Sequence, residues 1–157
     1  MKFKKKVTPN KKVRNATVLE YYGITFKSKL ELYCYKRLKE YNLRFQYEKI
    51  KYELMSPFDF ENDSYELFKK KGERTFSKQR PSIRSITYTP DFVGYYPSVK
   101  GKMFIIETKG NPNEAFPIKW KMFKRHIQIN DLDIDLYMPR NQKQVDEAVN
   151  LIINKFK

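Results

Sequence analysis

Met103-Phe104-Ile105-Ile106 is apolar at every position, and the four residues that follow, Glu107-Thr108-Lys109-Gly110, are charged, polar and then glycine. Successive side chains of a strand point to opposite faces, so a strand apolar on both must lie inside a sheet covered on each side. The charged triplet then closes a central strand. Upstream, residues 83–96 read as a second strand, joined to 102–108 through Pro97-Ser98-Val99-Lys100-Gly101. Proline and glycine between two apolar runs argue for a hairpin.

The other elements follow from periodicity. Ser28 is a good N-cap for a helix over 28–41, with Glu31 three positions on as in a capping box. Leu30, Tyr33, Cys34, Arg37, Leu38 and Tyr41 fall on one face of it. Residues 45–54 read as a strand whose alternation changes phase between Tyr47 and Ile50, the mark of a bulge. Residues 56–82 are acidic in their first half and basic in their second. They are expected as an insertion or long loop, with a short helix around Ser64–Lys70. A helix over 114–129 places Phe116, Trp120, Phe123 and Ile127 on one side. A strand follows over 134–138. A C-terminal helix over 141–156 turns Val145, Ala148, Val149, Ile152 and Phe156 inward.

This order predicts an α/β fold of the mixed α+β kind, a central mixed sheet carrying the hairpin and flanked by helices. The strand at 134–138 should run parallel to 102–108 through the 114–129 crossover. Residues 1–14 are dense in Lys and Arg without an acid and read as a flexible basic arm. Residues 15–157 read as a single domain, a size that 157 residues suit.

Charge points to a polyanionic partner. The chain carries 33 Lys+Arg against 18 Asp+Glu, a formal net charge of +15. Such an excess repels itself in the compact state and marks nucleic-acid binders. A membrane surface is disfavoured, because no helix sets a clean basic face against a continuous apolar one. No apolar run approaches a bilayer's width, and the basic N-terminus has no apolar region after it as a secretory signal would. The chain is therefore expected to be soluble and cytoplasmic, within a host cell if it is phage-encoded. One cysteine, Cys34, excludes an intrachain disulfide. One histidine, His126, leaves no set of ligands for a structural zinc site of Cys and His.

Chemistry gathers at Thr89-Pro90-Asp91-Phe92 and Glu107-Thr108-Lys109-Gly110. Glu107 and Lys109 alternate on a strand and project together, with Thr108 pointing away. An antiparallel turn at 97–101 brings Asp91 opposite Glu107 within a residue or two. Two carboxylates a few ångströms apart destabilise each other's ionised forms. A hard divalent ion resolves this. Mg²⁺ takes one or two carboxylates, waters and a substrate phosphate. The backbone carbonyl of Thr108 is placed as a further oxygen. The ion would activate water, and Lys109 would orient the nucleophile or stabilise developing negative charge. Each half of the pattern is common by chance, and a Glu-x-Lys triplet is usually a solvated strand face. The order Pro-Asp, hairpin, Glu-x-Lys is what carries the reading.

That order resembles the signature of the PD-(D/E)XK nuclease superfamily. Within it, the stretches around Tyr88-Thr89-Pro90-Asp91-Phe92 and Ile105-Ile106-Glu107-Thr108-Lys109-Gly110 are similar to the small phage endonucleases, the endonuclease I-type junction resolvases among them. The resemblance spans about residues 23–55 and 83–125. It implies a restriction-endonuclease-like fold and a Mg²⁺-dependent phosphodiester hydrolase acting on DNA, with Mn²⁺ as a substitute ion. Asp91 and Glu107 would be metal-binding acids and Lys109 the catalytic lysine. Gly23 to Glu31 resembles the Ser-x-x-Glu helix start of those enzymes, which makes Glu31 a third catalytic and metal-binding acid. The capping box also accounts for Glu31, but the catalytic role is the reading preferred here. A branched, Holliday-junction-like DNA substrate and a homodimer are further implications. A restriction, repair or transposition-type nuclease, or a binding module on the same fold that does not cut, would share these residues. For DNA contact the candidates are Lys119, Lys121, Lys124 and Arg125 on the 114–129 helix, and Lys4, Lys5 and Lys6 in the arm. A solvated surface accounts for any one of them as readily. Glu48 is polar at a strand edge and needs no function.

Overall fold

The computed structural model describes residues 18–70, 72–96, 98–110 and 114–155. The arm at 1–14 with Lys4, Lys5 and Lys6, and the inward Phe156, lie outside the described residues.

The described chain opens with a tight hairpin, β1 (Leu19–Tyr21) and β2 (Ile24–Phe26). Its two turn residues, Tyr22 (φ 48) and Gly23 (φ 72), are both left-handed. That backbone matches the right-handed twist of two-residue hairpins, and glycine adopts it without steric cost. Helix α1 (Lys29–Glu40) begins at Ser28, whose Oγ accepts the Glu31 amide at 3.1 Å. It ends at Asn42 (φ 53), with Leu43 N–H bonded to Leu38 O and Asn42 N–H to Lys39 O, both at 3.0 Å. This is a Schellman stop, with asparagine standing where glycine is usual.

The central sheet has the order β12-β11-β10-β3, built from β3 (Phe45–Tyr47), β10 (Phe92–Tyr95), β11 (Met103–Ile106) and β12 (Ile134–Tyr137). β10 pairs antiparallel with both β11 and β3, while β11 and β12 run parallel. The sheet is mixed, as expected, and β11 is internal. Helix α2 (Phe116–Ile129) makes the crossover, and α3 (Gln142–Asn154) closes the described chain.

Two apolar clusters cover the sheet's faces. On one, Phe92, Phe104 and Ile106 pack with Cys34 and Leu38 of α1 and Val145, Val149 and Ile152 of α3. On the other, Val93 and Ile105 pack with Phe116 and Phe123 of α2, Tyr88 and the flanking Trp120 and Ile127. Each such side chain contributes about 1.5–3 kcal/mol by leaving water. Arg37 sits on the inner face of α1 because Asp146 of α3 accepts from its Nε at 2.7 Å and from Tyr33 Oη at 3.0 Å. Tyr41, expected on that face, is instead exposed at the helix end.

Three expectations are corrected. The strand at 45–54 is two strands in different sheets, β3 and β4 (Tyr52–Met55), because Glu48 (φ 46) turns the chain between them. The strand at 83–96 is likewise divided, into β8 (Ser82–Ile83), β9 (Ile86–Tyr88) and β10. Residues 56–82 are neither a loop nor helical at Ser64–Lys70. They form β5 (Phe58–Asp59), β6 (Tyr65–Lys70) and β7 (Glu73–Lys78), with β5 pairing β8 and β6 pairing β7. β4 pairs β9 at the base of this excursion. Among the described residues no helix is long and apolar enough to cross a membrane.

Candidate active site

Register settles which acids meet. Phe92 pairs with Ile106, so the next pair outward along the hairpin is Asp91 and Glu107. The Asp91 amide points at Glu107 Oε2 at 3.4 Å. Both side chains are buried, Asp91 at 8% exposure and Glu107 at 3%. They lie at the end of the β10–β11 hairpin away from its turn, beyond the apolar core that holds the two strands in register.

Each carboxylate is held by named donors. Thr108 gives both its amide, at 2.8 Å, and its Oγ1, at 2.7 Å, to Oδ2 of Asp91. Oδ1 of Asp91 accepts no hydrogen bond among the described residues. Tyr88 Oη donates to Oε2 of Glu107 at 2.6 Å, and Lys109 Nζ donates to Oε1 at 2.6 Å. The ammonium of Lys109 also lies 4.2 Å from the centre of the Phe116 ring. Thr108, just past the end of β11, reaches Asp91 at the start of β10 with both its amide and its hydroxyl.

Glu31 approaches from α1 and is 7% exposed. Its Oε2 accepts the Lys27 amide at 2.9 Å and Tyr47 Oη at 2.6 Å. The reciprocal half of the capping box therefore reaches one residue beyond the cap, and a tyrosine of β3 competes for the same oxygen. Glu48 donates its amide to the Asp91 carbonyl at 2.9 Å, and its side chain pairs with Lys27 Nζ.

The electrostatics are lopsided for so basic a chain. Burial raises the pKa of Asp91, the negative charge of Glu107 adds to it, and together they push it up to about 8 against the Thr108 bonds. Glu31 contributes to the same shift. Burial pulls the Lys27 ammonium down, yet Glu48, Glu31 and Asp91 outweigh it and leave the group raised. Burial, then the bond to Glu107, raises Tyr88, and burial with Glu31 raises Tyr47, so both phenols stay protonated as donors. Acidic charge thus concentrates here within a strongly cationic protein, which is the field a cation site requires.

Asp91, Glu107 and Lys109 come together as the sequence indicated, and Glu31 lies within electrostatic reach of Asp91. The Thr108 backbone lies between Glu107 and Lys109. Among the described residues no group of three or more His, Cys, Asp or Glu side chains is gathered to hold a metal ion. The carboxylate pair with an open oxygen on Asp91 suits an ion that keeps most of its waters, as Mg²⁺ does. Of the expected DNA contacts on α2, Lys119 is tied to the Thr87 carbonyl at 3.2 Å and is half-buried. Lys121, Lys124 and Arg125 are exposed.

Tyr47, Tyr88 and Lys27 escaped sequence reasoning as parts of this site. Tyr88 and Tyr47 each pack a ring against the core while the hydroxyl reaches a carboxylate. Glu48 had a visible signal, a polar residue interrupting strand alternation, but its left-handed backbone was not legible.

A family model described as a protein of unknown function, DUF1064, matches residues 11–143 and so takes in every residue of the site. No curated protein matches, and no solved structure matches.

Proposed function

We propose that this chain, which belongs to the DUF1064 family, is a Mg²⁺-dependent DNA endonuclease on a restriction-endonuclease-like fold. The observation that carries the reading is the buried Asp91–Glu107 pair with Lys109 bonded to it at 2.6 Å, in a chain of net charge +15. A purely structural role does not account for two adjacent buried acids. Burying a carboxylate beside another is costly, and apolar residues of similar volume would serve the core better.

Each residue has a distinct task. Asp91 and Glu107 would hold the ion, with the Thr108 carbonyl as a further oxygen and Glu31 joining from α1. A bound Mg²⁺ would make its water a nucleophile at neutral pH and offset charge on the scissile phosphate. Lys109, pinned between Glu107 and the Phe116 ring, orients that nucleophile and meets the developing negative charge. Tyr88 and Thr108 are positioning residues that fix the two carboxylates. Lys121, Lys124 and Arg125 supply positive charge for the backbone. A branched, junction-like DNA is the substrate we favour, and two coordinated cuts on it call for a homodimer.

The test is cleavage of labelled four-way junction, linear duplex and single-stranded DNA, with Mg²⁺ or EDTA, by the native chain and by Asp91→Asn and Lys109→Ala. Cutting that needs Mg²⁺ and is abolished by either substitution is the expected result. Preference for the junction would support resolvase action, and equal cutting of duplex a general endonuclease. No cutting of any substrate, with binding unchanged by Asp91→Asn, would leave a DNA-binding protein and end the enzyme reading.

A further inference from the structure

We infer that the β6–β7 ribbon is a second nucleic-acid contact, built to hold a strand whose bases are unpaired. The inference deepens the nuclease reading by naming the substrate class, and rests on that reading only for the cutting. β6 and β7 pair over six residues each, from Tyr65↔Lys78 to Lys70↔Glu73, and Gly72 (φ 90) lies between them. Pairing continues to the base of the excursion through Gln79 N–H to Ser64 O and Phe60 N–H to Pro81 O, both 2.8 Å, and then through β5–β8 and β4–β9. β9 leads through Thr89 and Pro90 into Asp91, so the chain runs from the ribbon through β8 and β9 to the site.

Residues opposite one another in an antiparallel pair share a face. One face of the ribbon therefore carries Tyr65 and Leu67 from β6 and Arg74, Phe76 and Lys78 from β7. Three apolar and two basic residues stand there. The rings of Tyr65 and Phe76 stack at 6.1 Å with 27° between their planes. That cross-strand stack helps a two-stranded ribbon hold together. It does not explain why Tyr65 remains 54%, Leu67 55% and Phe76 71% exposed. Lys78 pairs with Asp63, and both side chains are more than half exposed, so water screens the pair and the ammonium is available.

Rings open to solvent on a platform interleaved with cations fit bases stacked on the aromatic faces and phosphates on Arg74 and Lys78. An intact duplex offers no exposed base faces. A second copy of this chain would suit the apolar residues but would bring a second set of cations against the first.

The test is anisotropy of fluorescein-labelled oligothymidine and of blunt duplex DNA, in EDTA so that nothing is cut. Tyr65→Leu/Phe76→Leu keeps an apolar cross-strand pair and removes only the aromatic faces. It should weaken oligothymidine binding about 10-fold or more while duplex binding and melting temperature stay as in the native chain. Arg74→Ser/Lys78→Ser should weaken oligothymidine binding and flatten its salt dependence. Oligothymidine binding unchanged in both variants would overturn the inference. So would a native dimer that the Leu variant turns into a monomer with its oligothymidine binding intact, since a second copy then occupies the ribbon. A native chain that cuts nothing yet shows the ribbon effect would refute the nuclease reading and leave the ribbon's role standing.

Discussion

Thr108 commits two donors to one oxygen of Asp91, its amide at 2.8 Å and its hydroxyl at 2.7 Å. Both bonds cross from the end of β11 to the start of β10, so the strand that carries Glu107 and Lys109 also orients the acid on its neighbour. Oδ2 is held, and Oδ1 accepts no hydrogen bond from the described residues.

Thr108→Val keeps the backbone bond and the side-chain shape while removing the hydroxyl. The Mg²⁺ concentration for half-maximal cutting should rise about 10–100-fold, as when other partners that orient metal-binding residues are lost. Titration of cleavage with Mg²⁺ measures this. An unchanged midpoint would show that the amide alone orients Asp91.

Stability of the metal-free protein should depend on Asp91 in an uncommon direction. Burial and Glu107 raise its folded pKa from 3.8 to about 8. The fold therefore favours the protonated acid, and the stability this provides is fully present below the unfolded pKa and lost as pH rises through about 8. In EDTA the melting temperature should fall between mildly acidic and mildly alkaline pH, by about 2–4 °C for each kcal/mol lost. Asp91→Asn should flatten that slope and melt higher than the native chain at alkaline pH. Added Mg²⁺ should raise the native melting temperature more at alkaline than at acidic pH, because ion and proton compete for the same carboxylate. Equal Mg²⁺ shifts at both pH values would separate Asp91 from the ion.

Glu31→Gln distinguishes a helix cap from a member of the site. The amide oxygen still accepts from the Lys27 N–H and the Tyr47 hydroxyl, so the bonds that seat the residue persist. The charge is lost. Cutting should fall about 10–100-fold with little change in melting temperature. Undiminished cutting would reduce Glu31 to a structural role.

Gly94 is the register partner of Phe104, whose ring lies over it. A Cβ at Gly94 would sit 2.0 Å from Cζ of Phe104. Phe104 is fully buried and has no room to yield. Gly94→Ala should therefore cost about 1–3 kcal/mol, as overpacking of a filled core does. Urea unfolding reads the loss directly. A wild-type midpoint would mean that the β10–β11 hairpin shifts freely, against the rigid registration of Asp91 with Glu107.

Local pattern alone was enough for the central strand at Met103–Ile106, the start of α1 at Ser28, the crossover through α2 and the meeting of Asp91 with Glu107. Each is a consequence of short-range rules: alternation along a strand, capping chemistry, and a turn that sets the register of the two strands it joins. Tertiary structure alone decided the rest. Glu48 takes a left-handed backbone where periodicity indicated a continuing strand, and the chain divides there between two sheets. β6 and β7 pair as a ribbon where composition indicated a loop, and the β4–β9 pairing at its base joins segments distant in sequence. Tyr47 and Tyr88 give the same apolar signal as any core aromatic. Whether such a hydroxyl finds a carboxylate depends on what the fold sets beside it, and a buried polar group must find a partner somewhere.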